Sequence, residues 1–221
     1  MIDSLVTFVI GMSGGSAALG IVLFTLAVRL LLLPLNVRQA RTTKIRERLA
    51  PKQQELRKRW SRNPERLAKE LNALYAKEGS SPFAGIVPML AQLPFMWLMF
   101  RVATHPTALA GHSLLGAPLG QQVAGIVANY GLVSLPFSVF VLVIVLVAAV
   151  AWWSSRQIAA NAARQSEIAG GQPDVMRKIM RLMPYGSVLA ALVLPLAAGL
   201  YLLVSTAWAT GERGVLASRP L

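Results

Sequence analysis

The sequence contains no cysteine, which excludes disulfides, thiolate nucleophiles, Cys-ligated metals and a lipid-modified N-terminal Cys. Its two histidines, His105 and His112, fall close together and read as solvated loop residues. Neither a P-loop nor an H-E-x-x-H pair occurs, so ATP hydrolysis and zinc chemistry are unsupported. No metal or cofactor is expected. Gly11-Met12-Ser13-Gly14-Gly15 has the G-x-S-x-G spacing, but no strand precedes it and both histidines lie elsewhere, so it is not a nucleophile elbow. The chain does not read as an enzyme.

Charge is also scarce. Only 14% of the 221 residues are charged, against about 25% in a soluble globule. Acidic residues number 9 against 22 Lys and Arg, a formal +13, while apolar residues make up 55% and the mean hydropathy is +0.54. A soluble basic protein would spread its cations over its surface, whereas these crowd into a few stretches. The composition is that of a membrane protein with basic segments on one side. The opening MIDSLVTFVIG lacks the basic n-region of a secretory signal, so Met1 is expected to begin the mature protein.

Ile2, Leu5, Val6, Val9 and Ile10 share one helical face, too short to span, so 1–16 is expected to be an outer interfacial amphipathic helix ended by Gly14-Gly15-Ser16. A first span over 17–37 is apolar except for Thr25 and Arg29, and Pro34 and Asn36 should close it. Residues 38–81 hold thirteen Lys/Arg and five Glu. Two arms are legible there. One has the stripe Ile45, Leu49, Leu56, Trp60 and an expected kink at Pro51. The other starts at Asn63 as N-cap, Pro64 at the first helical position and Glu65 in the first turn, with the stripe Leu67, Leu71, Leu74, Tyr75. They predict an antiparallel helical hairpin with charged outer faces.

Residues 82–103 form a second span, interrupted by Pro88 and Pro94 and containing Gln92. Residues 104–133 form a loop without any charged side chain. A third span covers 134–155, with Trp152-Trp153 in an aromatic belt, and 156–175 is a polar loop. Met183 to Trp208 is apolar and reads either as one long span or as two short ones, 176–195 and 196–211, before a tail over 212–221. Cations gather on the cytoplasmic side, so the first span is N-out and the hairpin, the 156–175 loop and the tail (Arg213, Arg219) are cytoplasmic. Placing the tail there requires five spans.

Arg29 sits in the middle of the first span. An intramembrane Arg costs about 2.5–3.5 kcal/mol on insertion scales. Seven residues separate it from Asn36, about 10 Å of helix, which is a long reach for snorkelling. All nine acidic residues lie outside the expected spans, so a salt bridge has no partner. Water or a visiting anion must then meet it, with Gln92, Thr25, Ser187 and the carbonyls freed by Pro88 and Pro94 as candidate neighbours. Ser205 and Thr206 are expected to hydrogen-bond back to their own helix.

Three stretches together resemble the YidC/Oxa/Alb family of membrane protein insertases. They are Gly20 to Leu35, with Arg29 before a Leu-rich Pro34-Leu35 end; Glu78-Gly79-Ser80-Ser81-Pro82-Phe83-Ala84-Gly85 running into Pro88 to Pro94; and Met183-Pro184 followed by Leu194-Pro195 and Ala198-Gly199-Leu200-Tyr201. Order and spacing also match over nearly the whole chain. The sequence departs in having Leu194 where the family usually has an aromatic. It also lacks the large outer domain of some members and a long basic C-terminal tail, which argues against strong independent ribosome docking.

The resemblance implies an all-α, polytopic protein with five transmembrane helices, N-out/C-in, a cytoplasmic helical hairpin and a short outer turn at Pro195–Gly199. It implies a bacterial plasma membrane location and a hydrophilic groove, open to cytoplasm and lipid, with Arg29 at its floor. The implied activity is ATP-independent insertion of nascent single- or double-spanning proteins. The hairpin cations Arg41, Lys44, Arg48, Lys52, Arg57, Lys58, Arg59, Arg62 and Arg66 suit recruitment. Their partners would be anionic lipids, the ribosome, the signal recognition particle or its receptor, and the Sec translocon, but not DNA. A small-anion transporter using Arg29 is the alternative, although no internal repeat is found. A membrane-anchored RNA-binding protein would leave Arg29 unexplained and has only Trp60 and Tyr75 in the basic segment to stack bases.

Overall fold

The computed structural model describes residues 11, 13–77, 109, 111–169 and 174–218; the expected interfacial helix up to residue 10, the second span and Gln92 lie outside them. Among the described residues there are seven α-helices and one very short β-hairpin. Helix α1 starts where the sequence breaks. Gly14 and Gly15 take φ of +66° and +87°, a region that side chains avoid, and the Ser16 hydroxyl accepts from the Leu19 N–H at 3.4 Å. From Ala17 the helix runs without interruption to Arg59, 43 residues, about 65 Å at 1.5 Å per residue.

The stop expected at Pro34 and Asn36 does not occur. Both Pro34 and Pro51 lie inside α1. Each proline removes one backbone donor, but the bonds of the turns on either side carry the helix through. The change in composition at residue 36 is therefore a change of surroundings along one rod. Helix α2 (Pro64–Lys77) folds back after the Trp60–Asn63 turn. As its first residues signal, Asn63 caps it, its Oδ1 accepting from the Arg66 N–H at 3.1 Å. The narrow seam between the arms buries Leu49 and Tyr75.

The stretch expected as a featureless outer loop is built. Strands β1 (Ser113–Leu114) and β2 (Ala117–Pro118) pair antiparallel around Leu115 and Gly116, whose φ values of +50° and +83° suit a two-residue primed turn. Helix α3 (Val123–Tyr130) follows. Ala117, Leu119 and Ile126 are completely buried together with Leu196, beside Ala17, Leu109 and Phe140. This cluster caps one end of the helix bundle.

Helix α4 (Leu135–Ala169) continues well past Trp153, through residues expected to be a polar loop. Helix α5 (Asp174–Leu182), a 3-10 turn at Met183–Tyr185 and helix α6 (Gly186–Val193) lead to a break. Leu194 is extended (φ −82°, ψ 159°), as the residue before a proline prefers. Helix α7 (Leu196–Ser218) then begins. The long apolar segment is thus split, but at Leu194–Pro195 rather than across Pro195–Gly199: Gly199 lies in the first turns of α7, where a Cβ would sit 3.5 Å from Val143 Cγ1. The first N–H groups of α7 need outside acceptors, and the 119–121 segment supplies them, with Ala197 N bonding Leu119 O and Leu196 N bonding Gln121 O, both at 3.0 Å.

Contacts fix the helix directions. Arg29 reaches Ser205 and, seven residues on in both helices, Asn36 reaches Glu212, so α1 and α7 run parallel. Val143 faces Gly199 and Ser154 faces Arg213, so α4 runs the same way. The α5–α6 segment returns between them, from Arg181, whose carbonyl accepts from the Ser155 hydroxyl at 2.8 Å, back to the capped end. Among the described residues, two helices have stretches long and apolar enough to cross a membrane, Ala17–Ile45 and Leu135–Ala163, 29 residues each. Each keeps one apolar face in the core and turns others outward, Leu31 being 77% and Val145 56% exposed. Lipid accommodates such a surface at no cost, and water does not. The fold is that of an all-α membrane protein, apart from the small β-hairpin.

Candidate functional site

Arg29 projects from the apolar half of α1, and its Nη2 donates to the Ser205 hydroxyl on α7. Ser205 is 4% exposed. The expected back-bond of Ser205 to its own helix is not seen; its oxygen instead accepts from the charged donor on α1. Its neighbour Thr206 does follow that expectation, donating to Leu202 O at 2.6 Å. A serine satisfies one N–H of the guanidinium and leaves the charge uncancelled. Among the described residues no carboxylate bonds Arg29.

The other candidates are placed as follows. Thr25 is buried one turn before Arg29, and its hydroxyl donates to Ile21 O at 2.6 Å. Ser187, on α6, donates to Pro184 O at 2.7 Å. Both hydroxyls stay on their own helices and are not joined to Arg29. Gln92 is outside the described residues.

Two further connections escape a local reading of the sequence. Two turns beyond Arg29, Asn36 Nδ2 donates to Glu212 Oε2 at 3.1 Å. Next to Glu212, Arg213 points the other way, toward α4. Its Nη2 donates to Ser154 Oγ at 2.9 Å and to Thr210 Oγ1 at 3.4 Å, and its Nε donates to Ala209 O at 3.0 Å. Packing around the head group holds Arg213 below the usual arginine range; the nearby Arg29 charge lowers it further and the Glu212 carboxylate opposes both. The approach of α7 to α4 is close here, since a Cβ on Gly214 would lie 3.3 Å from Gln157 Nε2. The step from Arg29 to Asn36 and from Ser205 to Glu212 is seven residues in each helix, two turns, which bring a residue back to nearly the same face.

The basic hairpin presents a different surface. Arg41, Arg48, Lys52, Arg57, Lys58, Arg59, Arg62 and Arg66 are exposed, and Lys44 is half-buried. Arg66 stacks over the Trp60 ring at 4.3 Å and Arg59 at 5.8 Å. Between the arms is a cleft of about 400 Å3 bordered by Lys52, Arg59 and Lys77 but also by Glu55 and Glu70, so its charges largely offset one another. The concentrated positive charge lies on the outer faces. On α4, Trp152 and Trp153 are half exposed, and Arg156 covers the Trp152 ring at 4.0 Å, an arrangement suited to a headgroup layer.

A helical membrane protein with a cation, Arg29, held by a neutral hydroxyl between two of its helices is the class these features define. The model of the family described as 60Kd inner membrane protein matches residues 8–219, and the chain belongs to this family, the YidC/Oxa family. Membrane protein insertase MisCA of Bacillus subtilis is 33% identical over 125 residues, 55% of this chain and 48% of that protein. Membrane protein insertase YidC of Oceanobacillus iheyensis is 35% identical over 120 residues, 52% and 48%. The YidC of Clostridium perfringens is 36% identical over 102 residues, 46% and 43%. The aligned region spans about half the length of each of these relatives.

Proposed function

We propose that the protein is a membrane protein insertase with five spans, N-out and C-in, in the bacterial plasma membrane. The parallel course of α1, α4 and α7 and the return of α5–α6 support this topology, with residues 82–103 as the second span. The observation that carries the functional reading is Arg29, set in an apolar stretch and held by a neutral hydroxyl. An arginine matched by a carboxylate would have its charge spent within the protein. One left with its charge available suits a carboxylate that visits.

The energetics fit a modest task. An acidic residue crossing the hydrocarbon centre costs about 2.5–3.5 kcal/mol. One cation at about 4 Å returns roughly 1–4 kcal/mol for effective dielectrics between 80 and 20. The two are comparable, so Arg29 eases one or two acidic residues but not a folded domain. Burial of the substrate's apolar segment, at about 25 cal/mol per Å2, drives the process without ATP. Substrates are then single- or double-spanning proteins with short, lightly charged tails, released sideways into lipid. The buried cap of Ala117, Leu119, Ile126 and Leu196 suits a groove closed at its outer end and open toward the cytoplasm.

The hairpin cations recruit nascent chains and their carriers, the ribosome or a targeting receptor, and touch anionic lipid. Reconstituted Arg29→Ala protein should insert a single-spanning substrate with an acidic tail roughly tenfold to a hundredfold less well, as expected for a lost charge contact, while a neutral-tailed version is unaffected. Unchanged insertion of the acidic-tailed substrate would remove the basis of the groove reading.

A further inference from the structure

We infer that Arg213 is a second binding site for the carboxylates of an inserting chain, which an acidic tail meets before it reaches Arg29. This rests on the insertase reading above and adds a second cation to it. Three hydrogen bonds to neutral oxygens, those of Ser154, Thr210 and Ala209, hold the Arg213 head group through Nε and Nη2. Two of the three holders are deeply buried, Ser154 at 5% and Thr210 at 0% exposed, which fixes the fork in place. The N–H groups of Nη1 have no partner among the described residues, and a guanidinium held in this way presents them to a carboxylate.

The surroundings point the same way. Arg213 is exposed overall, so a ligand can reach it, yet its head group turns toward α4 rather than outward. Near this end of the α1–α4–α7 bundle, Gln157 Oε1, Trp208 Nε1 and Glu212 Oε1 are buried with no partner among the described residues, so unspent polar groups gather beside Arg213. Glu212, between the two arginines in chain order, is engaged by Asn36 on the α1 side and offsets the mutual repulsion of the two cations. The Arg213 head group bonds Ala209 and Thr210, four and five residues past Ser205 and so about 6–8 Å further along α7, and it faces α4 whereas Arg29 comes from α1. About three residues of extended chain bridge such a separation, so acidic residues at that spacing engage both cations at once.

The test uses the full-length protein in vesicles of phosphatidylcholine alone and of phosphatidylcholine with phosphatidylglycerol. The substrates are single-spanning proteins whose tails carry no acid, two adjacent acids, or two acids three residues apart. Arg213→Gln should lower insertion of the spaced pair roughly tenfold in both vesicle types, lower the adjacent pair less, and leave the neutral tail unchanged. Arg213→Lys, which keeps the charge without the fork, should recover part of the loss. An equal loss for every tail would make Arg213 a structural residue, and a loss confined to phosphatidylglycerol vesicles would make it a headgroup site; either overturns the inference. Arg29→Ala measured alongside separates the two readings. Acid dependence that survives without Arg29 overturns the groove itself, whereas dependence on Arg29 with none on Arg213 overturns the second site alone.

Discussion

The two halves of α1 follow opposite rules. Before Asn36 the helix shows Leu30 and Leu31 to its surroundings and turns its one cation inward, to Ser205. After Asn36 the same helix points Arg41, Arg48 and Lys52 outward and hides Leu49 against the second arm. No break in the backbone separates the halves. The difference teaches that the two halves are built for different solvents. In the first, charge is the rare group that needs a partner; in the second, apolar surface is.

Removing the second half gives the largest expected effect. Deleting 42–76 should abolish insertion by intact cells while leaving the helicity and protease resistance of the bundle unchanged; normal insertion by that variant would show that the hairpin recruits nothing. Filling the site in the first half comes next. Ser205→Asp supplies Arg29 with a permanent carboxylate and should reduce insertion of acidic-tailed substrates about tenfold or more, with neutral tails spared.

Two smaller changes probe the seam of the hairpin. Leu49→Ala leaves a cavity and should cost about 2–4 kcal/mol, seen as faster amide exchange confined to α2 and the facing turns of α1. Exchange rising equally in α4 would mean that hairpin and bundle are one cooperative unit. Asn63→Ala removes a single cap and should cost about 1 kcal/mol, visible as fraying of the first turn of α2 and nowhere else.

What the sequence revealed and what it concealed divides along the same physical line. The Asn63 cap, the Gly14-Gly15 break, the apolar run from Leu135 and the restart after Pro195 are set by neighbours a few residues away, so local pattern exposes them. The bonds from Arg29 to Ser205 and from Asn36 to Glu212 each join residues 176 positions apart, and no periodicity within one helix announces a partner in another. Proline misleads at one position. Pro34 is expected to end a helix, yet α1 continues through it and through Pro51, whereas Pro195, preceded by an extended Leu194, does stand at a break. Arg29 itself is legible because an isolated cation in an apolar run is anomalous in any fold. Arg213 is not, because a cation near a chain end is ordinary.

The unbroken course of α1 has a mechanical consequence. A helix of about 65 Å that carries the basic loop at one end and the half-buried guanidinium of Arg29 along its shaft acts as a lever: a tilt of about one degree moves its far end by roughly 1 Å. A displacement of the hairpin tip is therefore coupled to the Arg29–Ser205 contact through one continuous helix.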